Sequence, residues 1–447
     1  MILEKLLVAL ICCQVTLTLS KGIKLSETIE ALEGKFAIPG HRPLSATALQ
    51  EATLNLGDSI PVRNVFRKLD DGKGINIGIL GGSISNGNRI DKKRTYWREL
   101  LRWFQNSWPK ATHRVFSLAT PAKDSSYFHY CVDKVFERRY PNSSIETVDL
   151  WIIEHAANDV ALRDLPNGSL ALKWAHLEAE IRHLRNMPSS PALLFIYFAH
   201  GHDGRFTNAQ EIHQRVATHY NIPAISWLNY MRSSGGLQRK RVKKFLADAR
   251  THPTVLGHQI AAQLLVHVMQ KCLERGLKAD LTSEIPLMPG GFLDDHSPLC
   301  VNFEKTDTSW ELKESVGFLQ LDVSGKHTST LRQVKGSGHV VVEFRTLHPA
   351  TLIFLHVLHS WYCLPYRGKS IYTDEGTKVF CPGKGRARID RGPWTFFNTF
   401  TDKKYTVPLG IKLGIVSSGV HILRVEAMPP VTHRIQISSL TGHKVRA

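Results

Sequence analysis

The middle of the chain alternates short, continuously apolar runs with amphipathic stretches, and this alternation restricts the fold more than any other feature. The apolar runs are Ile75–Gly82, His113–Ala119, Val148–His155, Ala192–Ala199 and Ile222–Leu228. Strands that are apolar along their whole length are typical of parallel sheets covered on both faces. The amphipathic stretches are Tyr96–Trp108, Tyr127–Tyr140, Leu170–Asn186, Asn208–His219 and Leu256–Arg275. The alternation therefore predicts an α/β domain with a five-stranded parallel sheet and helices on both faces.

The pattern changes on both sides of this region. Residues 21–74 show no regular period, and we interpret them as an N-terminal leader segment. Pro and Gly residues mark a linker over residues 278–299, beyond which the helical period disappears. Short alternating runs follow at Phe318–Val323, Val340–Phe344, Thr351–Val357, Val379–Pro382, Ile411–Val416 and Val420–Ala427. We therefore expect the α/β domain over residues 75–277 and an all-β, sandwich-like accessory domain over residues 300–447.

The first 20 residues resemble a secretory signal peptide. One Lys precedes the apolar run Leu6–Leu19, and small residues stand before a cleavage point near Lys21. The run is shorter than the ~20 residues that a spanning helix needs. We expect a secreted protein, and the alternative is an uncleaved anchor, as in a Golgi type II membrane protein. Two N-x-S/T sequons, at Asn142 and Asn167, agree with glycosylation in the secretory pathway.

The cysteines indicate at least one disulfide. Removal of the first 20 residues takes away Cys12 and Cys13, and the cysteines that remain are Cys131, Cys272, Cys300, Cys363 and Cys381. Because their number is odd, at least one thiol is free or pairs between chains. Cys363 and Cys381 flank one short stretch, so we expect a bridge between them, and the sequence leaves the other pairings open.

Polar residues follow three of the predicted strands, at the edge of the sheet where α/β proteins hold their ligands. The first strand ends in Gly81–Ser83, a sharp turn in which Ser83 can act as a nucleophile. Taken alone, this motif indicates a structural or phosphate-binding turn equally well. Asn158 follows the third strand, where its amide can donate to a developing oxyanion or can cap the next segment. After the fifth strand, Asp248 can fix the tautomer of His252, and the imidazole can take the proton of Ser83. His258 is the rival base.

In this order, Gly81–Ser83, Ala157–Asp159 and Asp248–Pro253 resemble blocks I, III and V of the SGNH (GDSL-like) hydrolase superfamily. The resemblance covers residues 75–277 and implies a three-layer, flavodoxin-like α/β domain of the esterase and lipase type. It implies that Ser83 is the nucleophile, His252 the base and Asp248 its orienting carboxylate. The oxyanion hole would use the N–H of Ser83, the amide of Asn158 and the N–H of Ala122 in block II.

The sequence departs from the family pattern at three points, and the last two keep an inactive descendant as an alternative. Gly82 stands where the family has Asp, but that side chain takes no part in the proton relay. Ala122 stands where the family has Gly, so a left-handed backbone there would cost about 1 kcal/mol or more. Asp248 and His252 are separated by one residue more than is common, which the loop has to absorb.

Basic residues are concentrated in two places. The net charge is +18, of which residues 300–447 contribute 20 Lys+Arg against 11 Asp+Glu. The segment Arg232–Arg250 contains seven basic residues and one acid, Asp248. This excess is typical of a solvated loop, and the functional alternative is a basic rim that attracts an anionic glycan or a phospholipid surface. The run Arg239–Lys244 also suits nucleic acid, but the signal peptide and the lack of a nucleic-acid-binding module argue against that partner. Arg386–Tyr405 interleaves cations with aromatic residues, which suits sugar or polyanion binding, with core packing as the alternative.

The residues predict an enzyme that uses no metal and no cofactor. Neither the histidines of His200–Asp203 nor His356 and His359 offer a complete ligand set at metal-site spacing. The first hypothesis is a secreted serine esterase that hydrolyses carboxylic esters, such as acyl groups on carbohydrates. The alternatives are a catalytically inactive protein that binds an anionic glycan and a Golgi glycan O-acyltransferase. The acyl group, the alcohol and the oligomeric state stay open.

Overall fold

The structure is a computed structural model that describes residues 38, 44–159, 167–202, 205–238, 240–248, 250–275, 287, 299–303, 308–323, 328–333, 338–360, 381–399, 406–428 and 433–444. The predicted signal peptide, residues 1–20, lies outside these ranges. No helix within them is long and apolar enough to cross a membrane.

An α/β domain forms the first part of the described chain. Its helices are α1 Ala46–Ala52, α2 Ile60–Asp70, α3 Tyr96–Ser107, α4 Ser125–Arg139, α5 Ala156–Asp159, α6 Asn167–Arg185, α7 Gln210–His219, α8 Trp227–Ser233, α9 Val242–Phe245 and α10 Val255–Glu274, with 3-10 turns at Lys92–Arg94 and Ile145–Thr147. Its strands are β1 Thr53–Asn55, β2 Asn76–Gly81, β3 Arg114–Ser117, β4 Leu150–Glu154, β5 Ala192–Tyr197, β6 His200–His202, β7 Arg205–Thr207 and β8 Ala224–Ser226.

The main sheet has the strand order β1-β8-β5-β4-β2-β3. Strands β8, β5, β4, β2 and β3 are parallel, and each lies within one of the five predicted runs. Strand β1 joins the edge antiparallel to β8, so the sheet has one strand more than the sequence predicts. The carboxyl ends of the five parallel strands meet at one edge, where the predicted site residues lie.

Helices cover both faces of the sheet and give the domain three layers. Alternate residues of β4 point to opposite faces: Leu150 and Ile152 belong to one core cluster, and Trp151 and Ile153 belong to the other. The first cluster includes residues of α1, α2, α3, α8 and α10, and the second includes residues of α4, α6 and α7. The predicted α/β fold with a sheet buried on both faces is therefore confirmed.

The described part of the predicted leader segment is regular, unlike the prediction. It contains α1, β1 and α2, and it belongs to the α/β domain. The side chain of Ser45 caps α1, and Val62, Phe66 and Leu69 of α2 are buried in the first core cluster. A seven-residue helix and a three-residue strand are too short to show a period in the sequence, and tertiary packing stabilises them instead. Helix α2 has 11 residues with Val62, Val65, Phe66 and Leu69 at helical spacing, so its period is present in the sequence.

The second domain is a β-sandwich, as predicted. Its strands are β9 Leu299–Val301, β10 Trp310–Val316, β11 Phe318–Val323, β12 Thr328–Gln333, β13 His339–Thr346, β14 Thr351–Ser360, β15 Cys381–Pro382, β16 Lys384–Ile389, β17 Thr395–Asn398, β18 Thr406–Val416, β19 Gly419–Met428, β20 His433–Arg434 and β21 Gln436–Lys444. One antiparallel sheet has the order β10-β13-β19-β16-β17, and the other has the order β11-β12-β21-β14-β18 with β9 beside β21. Alternate residues of both sheets form the core between them.

A disulfide joins the two domains. Cys131 of α4 is bonded to Cys300 of β9 across 169 residues of sequence. Lys134, one turn further along α4, donates to the carbonyl oxygen of Cys300 at 2.7 Å and to Ser309 Oγ at 2.6 Å. Cys272 is a buried free thiol, in agreement with the odd number of cysteines. The expected Cys363–Cys381 bridge stays a prediction, because Cys363 lies outside the described residues.

Candidate active site

The turn after β2 presents Ser83 at the carboxyl edge of the sheet. The chain leaves β2 at Gly81 and winds through a compact turn, in which Asn86 N–H donates to Gly82 O at 3.0 Å and Asn88 N–H donates to Ser83 O at 3.0 Å. Ser83 is partly exposed, whereas Ile84 and Ser85 beside it are buried. The turn therefore fixes the backbone below Ser83 and leaves its hydroxyl accessible.

The structure brings Ser83, His252 and Asp248 into one hydrogen-bonded series. Ser83 Oγ lies 2.9 Å from His252 Nε2, and His252 Nδ1 lies 2.5 Å from Asp248 Oδ2. The imidazole of His252 and the carboxylate of Asp248 retain 20% and 25% of their exposure, so a substrate can reach the pair. A hydroxyl, an imidazole and a carboxylate in this series can generate an oxygen nucleophile at neutral pH.

The additional residue between Asp248 and His252 is absorbed by a tight loop. Leu246 and Pro253 form a β-bridge across its base, and Ala247 N–H donates to His252 O at 2.7 Å. Asp248 Oδ1 accepts the N–H groups of Arg250, Thr251 and His252 at 3.0, 2.8 and 3.1 Å. One carboxylate oxygen thus shapes the loop and the other orients the imidazole, so the longer spacing leaves the pair in contact.

The charge of Asp248 is stabilised at its position. Partial burial raises the pKa of its carboxyl, but the hydrogen bond from His252, the N–H groups of Thr251 and Arg250 and the charge of His252 outweigh burial. The pKa of Asp248 therefore lies below its ordinary value, and the carboxylate is ionised throughout the neutral range.

Ala122 and Asn158 flank the turn of Ser83. Asn158 Nδ2 donates one hydrogen to Lys123 O at 2.5 Å, which ties block III to the loop that contains Ala122. Ala122 has φ +60°, the left-handed conformation that the family's Gly would adopt freely. Among the described residues, no backbone carbonyl accepts the N–H of Ser83 or the N–H of Ala122. These two N–H groups and the second hydrogen of the Asn158 amide are available to an oxyanion.

The absence of a side chain at position 82 has a steric reason. A Cβ on Gly82 would collide with Nδ2 of Asn158. A side chain at position 82 would require the amide of Asn158 to move, so a glycine here suits the observed position of Asn158. The departure at block I is therefore compatible with the predicted oxyanion donor.

A buried carboxyl beneath the turn is a site residue to which the sequence analysis gave no role. Glu154 ends β4, is 1% exposed, and accepts the N–H of Gly82 at 3.2 Å and the hydroxyl of Ser85 at 2.9 Å. The two groups that it accepts flank Ser83 in the sequence. Ser85 Oγ is also 2.8 Å from the hydroxyl of Tyr96. Burial raises the pKa of Glu154 to about 7, against the opposing hydrogen bonds from Ser85 and Gly82 and the charge of His155.

A second buried acid supports Asn158. The neighbouring Asp159 accepts the N–H of Ser125 at 3.1 Å and lies 2.8 Å from His213 Nε2. It therefore links α5 to the start of α4 and to α7. A buried acid that directly follows an apolar strand, as Glu154 does, is the signal that could have revealed this supporting layer from the sequence.

The rival base His258 has a different environment. Its ring is completely buried, stacks on Tyr96 at 6.0 Å and accepts the N–H of Tyr96 at Nδ1 over 3.3 Å. Burial and the charge of His252 lower the pKa of His258 to about 3. A neutral, buried imidazole that already accepts a backbone N–H is a structural group, so His252 is the base that the geometry favours.

Exposed cations surround the segments that contain Ser83 and His252. The exposed cations before and within the Asp248–His252 loop are Lys240, Arg241, Lys243, Lys244 and Arg250, and those after the Ser83 turn are Arg89, Lys92 and Lys93. We call these eight residues the basic rim; they comprise five of the seven basic residues predicted for it, together with Arg89, Lys92 and Lys93. Arg239 lies outside the described residues.

The remaining predicted positions are only partly described. Asn142 is exposed, as a glycosylation acceptor must be, and Asn167 begins α6 at the edge of a range whose side chains are not described. Within the described residues, no group of three His, Cys, Asp or Glu side chains could hold a metal ion.

The architecture resembles that of known esterases. No protein-family model matches the chain, and no curated protein matches it. Two crystal structures of a two-domain esterase active on acetylated mannans cover 89% of this chain, with TM-scores of 0.63 and 0.64 and identities of 18% and 17%. The chain covers 98% and 99% of those proteins, and the first was co-crystallised with mannopentaose. The lipase/acylhydrolase from Enterococcus faecalis is more distant, with a TM-score of 0.33, 17% identity and coverage of 44% of this chain and 96% of its own.

At such identities the similarity concerns the fold. It extends over both domains, and the α/β domain holds the serine, histidine, aspartate and asparagine of the predicted blocks at one sheet edge. The chain has a fold similar to that of the two-domain esterase, with an α/β domain joined to a β-sandwich.

Proposed function

We propose that the protein is a serine esterase that uses Ser83, His252 and Asp248. The observation that carries the proposal is the series of two contacts, 2.9 Å from Ser83 Oγ to His252 Nε2 and 2.5 Å from His252 Nδ1 to Asp248 Oδ2. The fold shared with a two-domain esterase supports it.

The reaction follows from the positions of these groups. Ser83 Oγ attacks the ester carbonyl carbon while His252 Nε2 takes the hydroxyl proton, and the carbonyl oxygen becomes an oxyanion. The N–H groups of Ser83 and Ala122 and the amide of Asn158 stabilise that charge. His252 returns the proton to the leaving alcohol as the C–O bond breaks, which leaves an acyl group on Ser83. A water molecule that His252 deprotonates then releases the acid and restores the serine hydroxyl.

For the substrate we propose an acyl ester on an anionic carbohydrate. The two-domain esterase with the same architecture is active on acetylated mannans, which supports a glycan as the alcohol component. The basic rim supports negative charge on that glycan, because exposed cations on both catalytic segments raise the local concentration of an anionic substrate.

We also propose that the protein is secreted and glycosylated. The Cys131–Cys300 bridge supports an oxidising compartment, since structural disulfides are rare in the cytosol. The exposed sequon at Asn142 and the signal-peptide pattern of residues 1–20 agree with this proposal. An N-terminal sequence of the mature protein that begins near Lys21 would support secretion, and a retained residue 1 would favour the anchored Golgi form.

The test is hydrolysis of an aryl acetate and of acetylated glycans by the purified protein. We expect turnover by the wild type and a loss of about 10⁴-fold or more in kcat for Ser83→Ala and for His252→Ala, with unchanged thermal unfolding. His258→Asn is the matched control for His252→Ala, and it should retain turnover if the protein folds. An absence of turnover in the wild type would favour the inactive glycan-binding protein, and acyl transfer to a glycan acceptor would favour the transferase.

A further inference from the structure

The outer face of the five-stranded sheet presents a group of cations and aromatic rings that the proposed reaction does not use. Along β16, Gly385, Ala387 and Ile389 point into the sandwich, so the residues between them point to solvent. The group consists of Lys384, Arg386, Arg388, Trp394, Phe396, Arg424 and Glu426, and we call it the Arg–Trp face.

Two guanidinium groups lie over one indole. Arg386 Cζ is 4.3 Å and Arg388 Cζ is 4.4 Å from the ring centroid of Trp394. Phe396 lies opposite Arg386 on β17 and is 63% exposed, an unusual degree of exposure for a phenyl ring. Flat cations and flat rings thus form a continuous surface, and the alternative of core packing does not apply to these side chains.

The charges on this face do not balance. Glu426 accepts hydrogen bonds from Arg386 at 2.6 Å and from Arg424 at 2.8 Å, so one carboxylate pairs with two guanidinium groups. Hydrogen bonds from both arginines hold the pKa of Glu426 below its ordinary value despite its partial burial. Arg388 has no acidic partner among the described residues, and its Nε has no hydrogen-bond partner there.

The register of the strands places two of these cations opposite each other, which destabilises the sheet when no anion is bound. Arg388 of β16 lies directly opposite Arg424 of β19. Like charges that face each other across two strands destabilise a sheet. An anionic partner on the outside would reduce this repulsion, and its carboxylate would pair with the terminal nitrogens of Arg388, because Nε is buried.

We propose that the Arg–Trp face binds an acidic polysaccharide through its carboxylates. The planar fork of Arg388 fits a carboxylate with two parallel hydrogen bonds. The exposed ring of Phe396 contacts the apolar face of a sugar ring, and Trp394 holds the two guanidinium groups in position. The site is separate from Ser83 and needs no ester. The choice of a glycan as the polymer rests on the proposed function, whereas the anionic character follows from the charges of the face.

This site would keep the enzyme on its polymer between turnovers. The Cys131–Cys300 bridge ties the β-sandwich to the helix that follows block II, so a polymer held by one domain stays near the other. The effective concentration of ester groups at Ser83 would then exceed their concentration in solution.

Binding is measured on the full chain with Ser83→Ala, so that the result does not depend on turnover. The probe is oligogalacturonate, and neutral mannooligosaccharide, a sulfated glycan of equal charge, single-stranded DNA and phosphatidylserine vesicles are compared in the same buffer. We expect oligogalacturonate to bind, and Arg388→Ala and Trp394→Ala each to raise its Kd about tenfold. Arg345→Ala is the matched control, because it removes one exposed cation from β13 of the same sheet.

The variant Arg388→Lys shows whether a loss of binding in Arg388→Ala comes from misfolding, from the lost charge or from the lost guanidinium geometry. Lysine keeps the charge but lacks the fork, so we expect most of the loss seen with Arg388→Ala. Absence of oligogalacturonate binding, an equal loss in Arg345→Ala, or full binding by Arg388→Lys would overturn the proposal. Tighter face-dependent binding of the sulfated glycan, the DNA or the vesicles would also overturn it. Oligogalacturonate binding without esterase activity in the wild type would reject the proposed reaction but would not contradict the proposal for this site.

Discussion

The acids behind the proposed active site are buried, whereas the charges of the Arg–Trp face lie on the outer surface of a sheet. In the α/β domain, Glu154 and Asp159 are buried and hydrogen-bonded to the segments that position Ser83 and Asn158. On the β-sandwich, charged side chains lie on an outer face with more cations than anions. The difference agrees with the two proposed tasks, since catalysis needs groups fixed before the reaction, whereas binding of a polymer needs charges that remain accessible.

The largest effect is expected from a change that breaks the catalytic series and leaves the sandwich untouched. In Asp248→Asn, the amide oxygen can still accept the N–H groups of Arg250, Thr251 and His252, so the loop should hold. The amide nitrogen cannot accept the Nδ1–H of His252, and we expect kcat to fall about 10³- to 10⁴-fold. Steady-state kinetics measure the loss. Near wild-type kcat would show that Asp248 does not orient the base.

The second change removes the disulfide between the two domains and measures how much it contributes to the free energy of unfolding. Cys131→Ala combined with Cys300→Ala should lower the free energy of unfolding by about 2–5 kcal/mol, because the bridge closes a long loop. Calorimetry with and without reductant measures it, and Cys272→Ala is the control because its thiol is free. Sensitivity to reductant that persists in the double variant would indicate the predicted Cys363–Cys381 bridge, and an unchanged stability of that variant would contradict the expectation.

A smaller effect on kcat is expected at Glu154. Glu154→Gln keeps the shape but alters the bonds to Gly82 and Ser85 on both sides of the nucleophile, so we expect kcat to fall about 10- to 100-fold with little change in KM. Glu180→Gln is the matched control, since Glu180 is equally buried but pairs with His155 instead of the turn. An equal loss of kcat in both variants would remove Glu154 from the positioning residues.

The raised pKa of Glu154 makes the stability of the protein depend on pH. The pKa of Glu154 is raised from 4.5 to about 7, mainly by burial. The folded protein therefore holds a proton that the unfolded chain releases, so the free energy of unfolding falls as pH rises from 4.5 to about 7. The slope from this group is at most about 1.4 kcal/mol per pH unit. Denaturation at several pH values should show that the free energy of unfolding of Glu154→Gln rises relative to that of the wild type over this interval. The same pH dependence in both proteins would contradict this expectation.

Much of the fold and the catalytic series could be predicted from the sequence. Buried parallel strands are apolar at every position, so their runs stand out. The adjacent strands β2 and β4 bring Ser83 and Asn158 together, and the loop before α10 brings His252 to Ser83. The short leader elements were missed because packing on β8, and not a local pattern, determines β1. The role of Glu154 was missed because its partners come from the turn after β2.

Two further features depend on tertiary geometry. Cys131 and Cys300 are 169 residues apart, and spacing along the chain does not reveal how α4 meets β9. The loop from Asp248 to His252 looked too long by one residue, and only the backbone bonds to Asp248 show how that residue is absorbed. In both cases the deciding contact is not local in the sequence.

The smallest effect is expected in block II. Ala122 has φ +60°, so Ala122→Gly removes a strain of about 1 kcal/mol but adds backbone entropy to the unfolded chain. We expect stability to change by less than about 1 kcal/mol and kcat to be retained, because the N–H donor remains. Ala122→Val is the contrasting variant, since a β-branched residue is disfavoured there and should lose both stability and kcat.

The most direct measurement is labelling of the purified protein with a fluorophosphonate, followed by peptide mapping. We expect one covalent adduct on the peptide that contains Ser83, no adduct in Ser83→Ala, and much slower labelling in His252→Ala, where the hydroxyl lacks its base. Arg388→Ala should label at the wild-type rate. A folded wild type that does not react, or an adduct on another residue, would contradict the claim that Ser83 is an activated nucleophile.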